Sequence, residues 1–328
     1  MMLARVRDRW PYLIAVVLLL LLVLVPFKWF LGQYTGLMVF IGINTMVTVG
    51  LCLLLGYTGQ VSLGQAAFYG LGAYFSAVLS KTHGINPWLA MLTGAVATGA
   101  FAYIIGYLIF RLKGNYLAMA TLGLGIIMYI LFRELSQFTG GPDGMAGIPP
   151  LSIAGFTFNT NFKRYFLVWF FCLAILLLSQ NIVRSRTGRA LRAIHGSEAA
   201  AESLGINVDQ FKVKVFVMSA VYASLAGSLF AHHVGHVSPS SFTFLASVEV
   251  VVMAVVGGLA SIWGAIFGTA TVRILSDELL LQFGEWDIII FGLLLMLVMI
   301  FTPQGLFVWL RERWERWRLR LAQGGTGT

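Results

Sequence analysis

Apolar residues run along this chain in long, nearly unbroken stretches, each about as long as a membrane-crossing helix, with short polar segments between them. Crossing a hydrocarbon core of about 30 Å takes about 20 mostly apolar residues. On that length the pattern predicts ten spans, at roughly residues 11–31, 37–55, 62–81, 87–110, 115–134, 165–183, 213–236, 245–260, 262–280 and 287–302. Between Ser247 and Glu278 the segments are short and interrupted by glycine, so two spans and one span plus a re-entrant segment both fit. The first stretch follows Arg5, Arg7 and Arg9 but reads as a retained span rather than a secretory signal, because its apolar run is too long and no small-residue cleavage pattern follows. The expected fold is all-α: a polytopic transmembrane helix bundle of 8–10 spans, forming one domain over residues 1–328.

Composition agrees: 59% hydrophobic residues, 11% charged and a mean hydropathy of +0.85 leave too little polar surface for a water-soluble globule. The net charge of +9 raises nucleic acid as a partner, and the placement of the charges argues against it. With the N-terminus inside, the cytoplasmic Lys and Arg are three before the first span, two at Arg111 and Lys113, six over residues 184–214 and five in the tail, giving 16 of 22. Five fall outside and Arg273 falls within a span, which is the positive-inside pattern with both termini cytoplasmic. The basic tail, residues 303–328, alternates Arg and Trp with Glu over 311–320 and suits the lipid headgroup layer. Cys52 and Cys172 lie inside apolar runs, where packing is the ordinary role of a thiol.

Three polar segments are long enough to have structure of their own: an outer loop at 135–161, an inner segment at 184–212, and the tail. There is no Gly-x-x-x-x-Gly-Lys-Ser/Thr phosphate loop, no dinucleotide fingerprint and no His-Glu-x-x-His pair. The chain is therefore expected neither to hydrolyse ATP nor to hold a cofactor. In the inner segment, helix formers with Leu191 and Ile194 three apart predict one short helix, and Ser197 as N-cap, Glu198 at the positive end and Gly205 as terminator predict a second, meeting the first at Gly196. An amphipathic helix on anionic lipid accounts for Arg189 and Arg192. A protein-docking surface accounts better for Ala199, Ala200 and Ala201, whose small side chains permit close approach.

Glu198-Ala-Ala-Ala followed by Gly205 resembles the coupling-helix signature of ABC importer permeases, and residues 188–226 as a whole are similar to the LivM-type permeases of branched-chain amino acid importers. So are Gly56-Tyr-Thr-Gly-Gln-Val-Ser-Leu-Gly-Gln-Ala-Ala-Phe-Tyr-Gly-Leu-Gly-Ala-Tyr74, Arg111-Leu-Lys-Gly-Asn-Tyr-Leu-Ala-Met-Ala-Thr-Leu-Gly123, Thr139-Gly-Gly-Pro-Asp-Gly144 and Val256-Gly-Gly-Leu-Ala-Ser-Ile-Trp-Gly264. The sequence departs from that pattern at Gln65, Asn115 and Asp143, where the family carries His, Asp and Asn.

The segment 56–74 also has a physical reading of its own. A Gly-rich break at membrane depth is tolerated where backbone is buried or lines a wet cavity, and Thr58, Gln60, Ser62 and Gln65 supply polar side chains there. Alternatively, Ser62 and Gln65 form a capping box for the third span. Asn115 and Thr121 join these as candidate pathway or packing residues. So do Glu249 and Arg273, since ionisable groups inside spans are costly and often functional. Glu249 is also explained by a place in the first turn of its helix near the outer interface, and Arg273 has Asp277 one turn on. His232, His233 and His236 read as the outer end of the seventh span.

The resemblance implies a heteromeric importer: this chain, a second related permease, two ATP-binding subunits that hold ATP-Mg, and an external substrate-binding protein. Residues 184–212 would form its cytoplasmic coupling segment, in a bacterial or archaeal inner membrane. A urea or amide importer permease, a secondary transporter and a membrane-embedded enzyme are the rival classes, the last disfavoured by the lack of a clustered catalytic constellation.

Overall fold

The computed structural model describes residues 34–112, 114–153, 156–279 and the single residue Gly292. The predicted spans 11–31 and 287–302 and the tail 303–328 lie outside the described residues. The other eight predicted spans are helices. α1 (Thr35–Leu51) continues through a π-helical turn, Cys52–Gly56. Then come α2 (Gln65–Lys81), α3 (Pro87–Ile109), α4 (Asn115–Glu134) and α5 (Asn161–Arg184). α6 (Arg186–Gly196) and α7 (Glu198–Ser203) are short and precede α8 (Val208–Val234). α9 (Phe244–Gly257) and α10 (Gly264–Ile274) follow, and α10 runs on into a π turn, Leu275–Leu279.

Among the described residues, five segments are long and apolar enough to cross a membrane: Thr35–Gly56, α3, α4, α5 and α8. α9 has 14 residues, so at about 1.5 Å per residue it falls short of a hydrocarbon core, while α10 with its π turn runs to Leu279, the last residue described in that stretch. They pack against each other and against α1. The ambiguous stretch of the sequence is thus two packed helices joined by a turn at 258–263, the first of them short.

Most of α1 is buried, on more than one face, which explains why its apolar residues show no periodic stripe. Its threonines satisfy themselves locally: Thr45 Oγ1 donates to the Ile41 carbonyl at 2.7 Å and Thr48 Oγ1 to the Asn44 carbonyl at 2.8 Å. α8 lies at the centre, packed on α1, α2 and α3. Its contact with α2 is one of backbone on backbone. A Cβ on Gly227 would sit 1.9 Å from the Tyr69 carbonyl oxygen, and one on Gly72 would sit 2.1 Å from that of Ser224. Ser228 Oγ closes the same seam by donating to the Gly72 carbonyl at 3.0 Å. In lipid no hydrophobic effect drives helices together, so close approach of this kind and buried hydrogen bonds hold the bundle. The opposite faces of α3 and α4 expose Leu89, Leu92, Val96, Ile104, Ile127 and Ile130, a surface suited to lipid or to another hydrophobic chain.

The loop between α4 and α5 folds back over this end of the bundle. Its strand β1 (Met145–Ala146) pairs antiparallel with β4 (His236–Val237), and β2 (Ser152–Ile153) pairs with β3 (Phe156–Thr157). Of the three histidines at this end of α8, that cover buries His232, while His233 is partly buried and His236 exposed. His232 is buried, with Nδ1 2.7 Å from the Pro149 carbonyl and Nε2 2.8 Å from Ser76 Oγ. A carbonyl can only accept, so in the neutral ring Nδ1 is the donor and Nε2 accepts from Ser76.

The seam between α2 and α8 predicts that Gly227→Val abolishes folded, monodisperse protein in detergent, because the added carbons collide with rigid backbone. Gly123→Ala, where no neighbour lies within 4 Å, leaves size-exclusion profile and thermal stability unchanged. A normal profile for Gly227→Val would contradict the close packing.

Candidate functional site

One end of the bundle carries α6 and α7 between α5 and α8. Three polar side chains cap this run of short helices: Ser185 Oγ accepts from the Thr187 N–H at 3.1 Å, Ser197 Oγ from Ala200 at 3.3 Å, and Asn207 Oδ1 from Gln210 at 3.1 Å. Leu191 and Ile194 face inward while Arg189 and Arg192 are exposed, Arg192 Nη1 donating to the Val183 carbonyl at 3.2 Å. Gly196 forms the exposed junction. α7 buries Ala201 against Ile194 and Val208 and turns Ala199 and Ala200 outward.

Gly205 adopts φ +80°, the left-handed conformation that glycine reaches without penalty. The Ile206 N–H bonds the Ala201 carbonyl at 3.1 Å and the Gly205 N–H the Glu202 carbonyl at 2.9 Å, the paired closure of a Schellman motif. This turn presents Leu204, 79% exposed, at the tip. The exposed surface of α7 and its turn is therefore small side chains and the Glu202 carboxylate beside one large apolar residue, Leu204.

Glu198 points the other way. Its Oε1 lies 2.6 Å from Lys212 Nζ and accepts from Gln60 Nε2 at 3.1 Å. The Lys212 side chain is 2% exposed, so the carboxylate supplies the counter-charge that a buried ammonium needs. One carboxylate thus ties α7 to the foot of α8 and to the break between α1 and α2.

The break is an irregular segment between the π turn ending at Gly56 and the start of α2. Tyr57 Oη donates to the Ala260 carbonyl at 2.8 Å. Gly59, at φ +70°, lies against His195 of α6. The polar residues of the segment are buried and mostly paired. Thr121 Oγ1 accepts from the Leu63 N–H at 3.0 Å, and the Gln65 amide exchanges hydrogen bonds with Ser219 Oγ of α8 at 3.0 and 3.3 Å.

The capping box between Ser62 and Gln65 does not form. Gly64 is the N-cap, Gln65 is turned to Ser219, and the free Ala66 N–H of the first turn is satisfied from outside by Ser247 Oγ at 3.0 Å. Ser62 Oγ is buried with no hydrogen-bond partner among the described residues. Asn115 sits exposed at the start of α4, apart from this cluster.

Glu249 and Arg273 meet at a second place, on the hairpin of α9 and α10. Glu249 lies in the second turn of α9 rather than its first. Arg273 Nη1 is 3.6 Å from Glu249 Oε1 and 3.5 Å from Asp277 Oδ1. With its amide oxygen toward the guanidinium, Asn44 of α1 accepts from Arg273 Nε at 2.6 Å and Nη2 at 2.8 Å.

Several of these partners were not singled out in the sequence: Lys212, Ser219, Ser247, Asn44 and Leu204. Lys212 carried a signal, a cation entering an apolar helix, but its partner Glu198 lies on a different helix, across the turn between α7 and α8. The serines resemble any small residue in a tightly packed span.

Comparison with known proteins places this architecture. A family model described as branched-chain amino acid transport system / permease component matches residues 33–302. The chain is 33% identical over 287 residues to the high-affinity branched-chain amino acid transport system permease protein LivM of Salmonella typhimurium, covering 80% of this chain and 67% of that protein. The same figures hold for LivM of Escherichia coli. The corresponding LivH protein of Escherichia coli is 27% identical over 298 residues, covering 85% of this chain and 96% of its own length. With that match over most of its length, and with apolar helices that suit a multi-pass membrane protein, the chain belongs to the permease component family of the branched-chain amino acid transport systems.

Proposed function

We propose that the chain is the transmembrane permease subunit of an ABC importer that moves branched-chain amino acids inward, driven by ATP that partner subunits hydrolyse. In this reading it crosses a bacterial or archaeal cytoplasmic membrane about ten times as one permease domain, with both termini and residues 184–212 on the cytoplasmic side. It pairs with a second, related permease. Two ATP-binding subunits carry ATP-Mg, and a substrate-binding protein delivers cargo from outside. The basic tail, 303–328, lies along lipid headgroups, and nucleic acid has no part.

The observation that carries this reading is the opposite orientation of the two sides of α7. Outward, Ala199, Ala200 and Leu204 offer a small-residue surface around one apolar anchor, the form of contact that a groove on another protein can bury. Inward, Glu198 is bonded to Lys212 of α8 and to Gln60 of the break. When ATP binding closes the nucleotide subunits, α7 is displaced, and the Glu198 contacts pass the displacement to α8 and to the foot of α1. The π turn at Cys52–Gly56 and the irregular segment after it are where α1 and α2 can change their relative tilt. Arg189 and Arg192, on the outer face of α6, flank the docking surface and meet either acidic groups of the partner or lipid phosphates.

Two measurements test this. In proteoliposomes with the full set of subunits, leucine uptake requires ATP and stops when the catalytic glutamate of the ATP-binding subunits is replaced; uptake that continues without those subunits would identify a secondary transporter instead. Leu204→Arg weakens capture of the ATP-binding subunits by about tenfold or more, the effect of losing a central apolar anchor, while the chain still elutes as folded protein. Undiminished capture by Leu204→Arg would place the docking surface elsewhere.

A further inference from the structure

α1, α2, α8, α9, α10 and the π turn after it line a cavity of about 310 Å³. Its depth follows from α1. Asn44, on its wall, stands nine residues after Thr35 and twelve before Gly56, or about 14 and 18 Å along the helix at 1.5 Å per residue. The cavity is thus near the middle of the segment that crosses the membrane. In size it lies at the small end of the range of ligand pockets, about 300–1,000 Å³.

Its wall has two chemically distinct parts. On one side are Arg273, Glu249 and Asp277. Asn44 takes the Nε and Nη2 edge of the guanidinium at 2.6 and 2.8 Å, which fixes the plane of Arg273 and leaves Nη1 facing the carboxylates. Those carboxylates stand off at 3.6 and 3.5 Å, at or beyond the limit of a hydrogen bond, so neither makes a short contact with the arginine. Among the described lining residues, one cation and two anions therefore keep unused donors and acceptors at membrane depth, where ionisable groups mark substrate pathways. On the other side are Phe40, Tyr69 and Phe230, whose rings form a continuous surface, with centroids 6.2 Å apart for Phe40 and Phe230 and 5.5 Å for Tyr69 and Phe230.

We infer that this cavity is a substrate subsite for an α-amino acid with an apolar side chain. The α-ammonium group sits between Glu249 and Asp277, the α-carboxylate on the free N–H groups of Arg273, and the side chain on the Phe40, Tyr69 and Phe230 surface. A neutral amide such as urea has no charges to satisfy the polar side and no apolar part for the aromatic side. The inference rests on the transport reading above and adds to it a place in this chain where cargo pauses.

The test is saturable binding of radiolabelled leucine to the intact importer in nanodiscs, with the substrate-binding protein omitted so that only the membrane site is read. Wild-type complex binds leucine. 3-Methylbutylamine, which lacks the carboxylate, and 4-methylpentanoate, which lacks the amine, each compete about tenfold or more weakly, the effect of losing one charge-assisted hydrogen bond. Glu249→Gln lowers leucine affinity by a similar factor. Ala246→Leu, which narrows the cavity without touching a charge, excludes leucine while still admitting alanine. Leucine affinity unchanged in both variants, in complexes that still take up leucine, would overturn the subsite alone. Competition by the amine or the acid as strong as by leucine would do the same. A wild-type complex with no leucine uptake would instead contradict the transport reading itself.

Discussion

The structure depends on how closely α8 approaches α2. In an apolar solvent helices gain nothing from hiding leucines, so what distinguishes one packing from another is how near two backbones come and which buried polar groups find partners. Gly72 and Gly227 bring the two backbones into contact, Ser228 closes the seam, and His232 and Gln65 fasten its two ends, the first to Ser76 and the loop over that end, the second to Ser219. With that seam fixed, the remaining helices are placed around α8: α1 and α3 against it, and the hairpin of α9 and α10 against α1.

The same seam gives the end that carries α6 and α7 something rigid to rest on. α7 has only six residues, and few of its side chains reach the bundle. Its hold comes from Ala201, from the Schellman turn at Gly205, and above all from the carboxylate of Glu198 on a buried lysine. Removing that carboxylate leaves Lys212 unpaired in a buried site, a change that costs about 3–5 kcal/mol in comparable buried ion pairs. Glu198 therefore anchors α7 to the bundle, and the outward face of α7 is formed by its neighbours. The charged pocket of Glu249, Arg273 and Asp277 lies on the hairpin that packs on α1, so a tilt of α1 about its π turn alters the wall of that cavity through Asn44.

What the sequence made legible was local. Eight hydropathy segments are helices, and the caps of α6 and α7 sit at Ser197 and Gly205, because a cap is made by residues within a few positions of one another. The family motifs were also legible. The partnerships that turn those motifs into a mechanism are non-local. Glu198 reads as a favourable charge at a helix start, and only the fold shows Lys212 and Gln60 beneath it. Ser62 and Gln65 have the spacing of a capping box, but the bundle supplies Ser247 for the backbone and Ser219 for the glutamine, so tertiary bonds displace the local one. The burial of His232 is illegible for a related reason: the loop that covers it, through Pro149, lies far earlier in the chain, and pattern along the chain carries no sign of that return.

The central claim is that force passes from α7 into α8 through the Glu198 and Lys212 pair. Its most direct test is charge exchange, measured as ATP-dependent leucine uptake in proteoliposomes alongside retention of the ATP-binding subunits. The account predicts that Glu198→Gln reduces uptake while the ATP-binding subunits stay bound. It further predicts that Glu198→Lys combined with Lys212→Glu recovers much of the loss, since Gln60 can present either amide group to position 198. Loss of the ATP-binding subunits from Glu198→Gln, with no recovery in the exchanged pair, would contradict it and make Glu198 a docking contact.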